Sequence, residues 1–123
     1  MECSCIYVGD TGDFADFHSK KIQTARKPHS CSECKRVIEP GESYEYVAGS
    51  WDGFFQTYKT CEDCLSIRNQ FFCDGWFYGE IHSLLFEHIQ EMNGQISEDC
   101  ILELSEGAKN RVFGMIESVW EDL

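Results

Sequence analysis

Between Tyr44 and Trp51 the chain reads as an aromatic, β-branched run, and Phe54 to Lys59 repeats that character on the far side of Asp52-Gly53. Asp and Gly tolerate the positive φ that both central residues of a type I′ turn require, so this dipeptide predicts a two-residue hairpin. The turn would pair Trp51 with Phe54, Gly49 with Gln56 and Val47 with Tyr58, gathering much of the apolar surface on one face. Pro40-Gly41 marks a turn ahead of the first strand. After Thr60 the period changes. Thr60 suits the cap of a helix beginning at Cys61, because Leu65, Arg68, Phe71 and Phe72 follow at helical spacing. Between Glu80 and Met92, the residues Ile81, Leu84, Leu85, Ile89 and Met92 form one apolar stripe that Asn93-Gly94 stops. Ser97, Glu98 and Asp99 suit the start of a short helix. A last helix begins after Ser105 and presents Val112, Ile116, Val119, Trp120 and Leu123 on one side. The stripes are predicted to pack on one another and on the hairpin, giving an α+β protein.

The cysteines change this picture most. Cys31-x2-Cys34 and Cys61-x2-Cys64 flank the hairpin, the second pair in the first turn of the predicted helix, where the dipole favours thiolate. One C-x2-C knuckle presents two sulfurs to the same ion, and a second pair completes the tetrahedral shell of zinc. A thiol-disulfide centre would need only one such pair beside a βαβ pattern, which is absent. We therefore expect Cys31, Cys34, Cys61 and Cys64 to hold Zn2+. The order of knuckle, hairpin and helix resembles the treble-clef zinc finger, here with a C-terminal acidic helical extension. Residues 1–73 would form the zinc-binding module with its N-terminal segment, and residues 74–123 an acidic helical part packed on it, most simply as one continuous domain. Cys3, Cys5 and Cys73, completed by His18 or His29, are candidates for a second zinc; the alternative is that they are ordinary thiols. Cys100 lies among Ile96, Ile101, Leu102 and Leu104 and suits core packing, and His82 and His88 read as surface or core-edge residues.

With 123 residues, 42% apolar and 14% aromatic, the chain has the composition of a folded protein with room for about one domain. No stretch approaches the roughly 18 apolar residues of a membrane span, and Met1-Glu2-Cys3-Ser4 does not open a leader peptide. A cytoplasmic setting follows, in which the eight cysteines would stay reduced. Charge is divided unevenly. Residues 18–36 hold Lys20, Lys21, Arg26, Lys27, Lys35 and Arg36 against Glu33 alone, whereas residues 74–123 hold eleven acids against Lys109 and Arg111. The basic segment either offsets the charge of four thiolates, about −2 with zinc bound, or contacts a phosphate backbone, with His29 and Tyr44 or Tyr58 joining it. A net charge of −12 weighs against the second use. The acidic helices are either a solvated face or an imitation of nucleic-acid phosphates directed at a basic protein partner. No Gly-rich phosphate loop, H-E-x-x-H helix or G-x-S-x-G elbow is present, and four cysteines close the metal shell, so no enzyme activity is expected.

Several stretches together, Ala25 to Cys34, Ile38 to Glu42, Trp51-Asp52-Gly53 and Tyr58 to Cys64, with the Cys-Ser-Cys start and Gly75 to Glu80, resemble a group of small zinc-finger proteins of bacteriophages and prophages. The resemblance covers about residues 1–90 and implies a bacterial host cytoplasm. In that setting small acidic non-enzymes block host defence complexes, so it points to an inhibitor of anti-CRISPR or anti-restriction type acting by protein-protein contact. Glu80, Glu87, Glu91, Glu103 and Glu106 would form its acidic surface, with Trp51 and Phe54 at the hairpin tip as a second patch. The alternatives are a nucleic-acid-binding regulator using the basic segment and a phage structural or assembly component.

Overall fold

The computed structural model describes residue 6 and residues 17–51, 53–72 and 75–122, the side chains of residues 17, 18 and 51 excepted. It is a mixed α+β fold of antiparallel sheets and helices: β1 (Phe17–Thr24), β2 (His29–Ser30), β3 (Val37–Ile38), β4 (Ser43–Trp51), β5 (Phe54–Cys61), α1 (Glu62–Phe71), α2 (Ile81–Glu91), α3 (Glu98–Leu102) and α4 (Glu106–Glu121). The β4–β5 hairpin has the register that the Asp-Gly turn dictates, with Trp51 opposite Phe54, Gly49 opposite Gln56 and Val47 opposite Tyr58. Val47 is buried, but Phe54 is exposed, so the apolar surface is not all gathered on one side.

Strand β1 was not expected. It lies antiparallel on the other side of β4, giving the sheet order β1-β4-β5. Its sequence, FHSKKIQT, has no alternation that marks a half-buried strand, and Ile22 is exposed. Backbone bonding to β4 rather than burial places it there, and lysines on an edge strand discourage further pairing. Helix α1 also starts one residue later than expected. Thr60 is buried in β5, and Cys61 stands at the N-cap with no side-chain capping bond.

Residues directly opposite in antiparallel strands share a face, which sorts the sheet. On one face Glu45, Val47 and Thr60 are buried. The Arg68 guanidinium of α1 donates to both Glu45 carboxylate oxygens, at 2.9 and 2.6 Å. Trp76 lies over that guanidinium at 4.1 Å, and Tyr78 stacks on Tyr58 with centroids 4.3 Å apart. The other face begins with Cys61 and Tyr44 and runs through Tyr46 towards Phe55.

The main apolar cluster joins Ile67, Phe71 and Phe72 at α1 to Ile81, Leu85 and Ile89 of α2, Ile101 of α3 and Val112, Ile116 and Val119 of α4, with Ile6 packed among them. Ser105, the expected start of the last helix, accepts from Ala108 N–H and donates through Oγ to Asp63 at 2.7 Å, tying α4 to α1. Trp120, expected in the apolar stripe of α4, is instead 56% exposed, with its Nε1–H donating to the Asn93 carbonyl at 3.2 Å. Cys100 is buried in this core as expected, but it is disulfide-bonded, so the expectation of eight reduced cysteines does not hold for it.

The stop after α2 gives a direct test. Asn93 and Gly94 have φ of 56° and 76°, and a Cβ on Gly94 would lie 2.3 Å from Trp120 Nε1. Gly94→Ala is expected to cost about 1–3 kcal/mol. Gly114→Ala on α4, where a Cβ meets nothing within 4 Å, should instead stabilise by about 0.5–1 kcal/mol. Denaturant midpoints of the two variants, which should move in opposite directions, check both.

Candidate metal centre

Each cysteine is positioned by a local device. Cys31 and Cys34 lie on a knuckle closed by Lys35 N–H to the Cys31 carbonyl at 3.0 Å and by Cys31 N–H to the Arg36 carbonyl at 2.9 Å. The turn needs a left-handed residue, and Lys35 takes it at φ 68°. The knuckle is joined to the free edge of β5, where Ser32 N–H donates to the Lys59 carbonyl and Lys59 N–H to Ser32 Oγ. Cys61 ends β5 and Cys64 lies one turn into α1, so strand, helix and knuckle meet at one point.

All four sulfurs lie within 4.8 Å of one another, with 3.8 Å between Cys31 and Cys64 and between Cys34 and Cys61. A tetrahedron of sulfurs around zinc at about 2.3 Å has edges of about 3.8 Å. The cluster therefore suits one metal ion such as zinc. Cys31, Cys61 and Cys64 are buried and Cys34 is half-buried, next to Ala25, Ile38 and Tyr44. The charge arrangement agrees. Hydrogen bonds from the Cys61 and Cys64 thiols hold the Cys31 thiol well below its ordinary pKa. Those bonds and that charge push Cys61 up to about 12 and Cys64 higher still. Four sulfurs this close are all thiolates only around a cation, which deprotonates a coordinating thiol outright.

Groups outside the sulfur set brace it. Cys61 N–H donates to Cys31 Sγ at 3.5 Å. Arg36 donates to both oxygens of Glu42, at 2.9 and 3.1 Å, and faces Asp63 at 3.6 Å, so its charge is held beside the centre. Glu33, inside the knuckle and buried, accepts from Gly79 N–H at 2.8 Å and from Ile81 N–H at 3.4 Å, meeting an unpaired donor at the start of α2. Burial raises the Glu33 pKa against the pull of those two donors.

His82 stands at the core edge, half-buried, and makes a contact that the sequence reading missed: its Nε2 lies 3.1 Å from Cys64 Sγ. Burial, helped by Arg111, pushes its pKa down to about 4, so at neutral pH the ring is uncharged. With its proton on Nε2 it donates to the sulfur, the kind of contact that orients and tunes a metal ligand. No local motif marks it, since His82 is 18 residues beyond Cys64 and reaches it only because α2 folds back.

The other candidate residues, where described, stand apart from the sulfur cluster. Cys3, Cys5 and Cys73, and the side chains of His18 and Trp51, lie outside the described residues. His29, a candidate fourth ligand there, faces Tyr44 instead, with Nε2 3.5 Å from the hydroxyl. Partial desolvation and the positive fields of Lys59 and Lys27 lower its pKa. Glu80, Glu87 and Glu91 are exposed at helical spacing along α2. Glu103 and Glu106 are exposed near α3 and α4, Glu103 receiving a bond from Gln70 and Glu106 facing Lys109 at 3.3 Å. Phe54 is exposed at the hairpin end. No helix among the described residues is long and apolar enough to cross a membrane. Neither a family model, nor a curated protein, nor a solved structure matches the chain.

Proposed function

We propose that the protein is a zinc-stapled binding module that acts by contact and not by catalysis, its finger being of treble-clef type. The observation that supports this is the closed sulfur set: four buried or half-buried donors at tetrahedral spacing leave no ligand position for water or substrate. The exposed carboxylates of Glu80, Glu87 and Glu91 along α2 suit a basic protein partner. That such a partner is a host nucleic-acid-handling defence complex rests on the resemblance to phage proteins alone; no feature of the fold adds to it.

Cobalt in place of zinc tests the closed site. Four thiolates should give an intense sulfur-to-cobalt charge-transfer band with tetrahedral d–d bands, unchanged by added azide or imidazole. A spectrum that shifts with either ligand would reveal an open coordination position and overturn the non-catalytic reading.

A further inference from the structure

The structure divides the basic segment, and part of it has no structural task. Arg36 is held by Glu42 and Asp63 beside the sulfurs, Lys35 Nζ donates to the Ser32 carbonyl of the knuckle, and Lys20 lies over Trp76 on the helix-covered face. Arg26, Lys27 and Lys21 remain of the segment, and Lys59 of β5 joins them. Among the described residues none of the four is in an ion pair.

These four belong to one surface. Lys21 lies opposite Tyr46 and Tyr46 opposite Lys59, so the three form a row across the sheet on the face that α1 does not cover. Phe55 stands on the same face towards the hairpin end and is 66% exposed, and Tyr46 is half-buried. On the same face, at the neighbouring pair of Gln23 opposite Tyr44, there is a pocket of about 790 Å³ bordered also by Arg26, Lys27 and His29. Its floor is a polar chain in which Gln23 Nε2 donates to the Tyr44 hydroxyl at 2.5 Å and His29 stands on the other side of that oxygen. The strand positions sharing this face in β1, β4 and β5 include no carboxylate among the described residues. Glu45 points the opposite way into Arg68, and Glu42, on the turn beside Ala25, is held by Arg36. Glu39 is the exposed acid on that turn.

We infer that this open face, from the Arg26-Lys27 pocket across Lys21, Tyr46 and Lys59 to Phe55, binds single-stranded nucleic acid. Four unpaired cations suit a phosphodiester backbone, and a half-buried ring between two of them, Tyr46, with the exposed ring of Phe55 beyond suits unstacked bases, the combination that sequence-tolerant single-strand binding uses. The net charge of −12 does not forbid this, because α2, α3 and α4 pack on α1 and on one another, and at physiological salt the field of a charge falls off over about 8 Å. The inference rests on the reading of a zinc-held contact module and supplies one of its ligands.

The test uses the full zinc-loaded chain and a labelled single-stranded oligonucleotide of about 10 nucleotides, followed by fluorescence anisotropy. Binding should weaken with salt with a log–log slope near −3, from about 0.7 per neutralised phosphate. Lys21→Gln with Lys59→Gln should reduce affinity at least tenfold and flatten the slope, whereas Phe55→Ala should reduce affinity about tenfold and leave the slope unchanged. Zinc content and circular dichroism are read on every sample, so a failure of the zinc reading shows as a chain without metal, and a failure of this one as an unmodified, zinc-loaded chain that does not bind. No binding by the zinc-loaded protein at low salt would overturn the proposal. Equal affinity for a duplex, or full competition by inorganic phosphate at millimolar level, would reduce the face to a simple anion site and overturn it as well.

Discussion

Cys61→Ser is expected to lose one zinc per chain and, with it, the order of the N-terminal half. The physical reason is the small interior there. The cluster under the sheet end consists of Ala25, Ile38, Tyr44 and three of the four cysteines, so half of its buried members are the metal site itself. Two-residue strands such as β2 and β3 do not persist alone, and among the described residues the knuckle's hydrogen bonds to the sheet are those of Ser32 with Lys59 and of the cysteines themselves. A structural zinc site contributes about 10–16 kcal/mol of binding free energy at neutral pH, all of it available only to the folded chain. Its loss is as large as the whole stability of a typical domain, about 5–15 kcal/mol. The expected result is protease sensitivity within residues 25–64 and collapse of near-ultraviolet dichroism from Trp and Tyr, the same changes that a strong chelator produces in the unmodified protein. Should the purified chain prove metal-free yet keep both signatures in chelator, the zinc reading fails.

The second large effect is expected at Arg68. Its side chain is 4% exposed and that of Glu45 equally so, the two share two hydrogen bonds, and no water-facing route remains for either charge. Arg68→Ala leaves a buried carboxylate without its partner and also removes the cation from beneath Trp76. Breaking such a pair from one side costs about 3–5 kcal/mol. Replacing both partners, as Arg68→Met with Glu45→Leu, should recover most of that loss, because the cost lies in the stranded charge rather than in the absent attraction. Thermal denaturation of the two single variants and the double variant reads this directly. If the double variant is as unstable as Arg68→Ala, the pair is not the source of the effect, and the packing of Trp76 on the guanidinium is.

Much of this was legible in the sequence because it is local. Asp52-Gly53 admits one tight turn and therefore one register. Ser105 and Asn93-Gly94 are punctuation that acts within a few residues, and both mark the ends observed. The four-cysteine set was legible because each C-x2-C fixes its own geometry, leaving the hairpin only to bring the two pairs together. What was missed depends on distant partners. Strand β1 exists because β4 offers it an edge, and nothing in FHSKKIQT announces that edge. His82 reaches Cys64 only through the way α2 packs back on the finger, which Glu33 helps to fix from the other side. The expectation for Thr60 failed by one residue, because its burial in β5 outweighed its preference for a helix end, and Cys61 took the cap.

Because Glu33 and His82 both reach from the metal centre to the first turn of α2, the residence time of the ion is set partly by helix packing. On this side His82 lies against Cys64 Sγ, so a competing chelator meets α2 before it meets that sulfur. Mutations at Ile81 or Leu85, neither of them a ligand, would then alter how fast metal leaves while leaving the coordination shell unchanged. Metal exchange thus becomes a kinetic reporter on a hydrophobic layer that makes no bond to the ion.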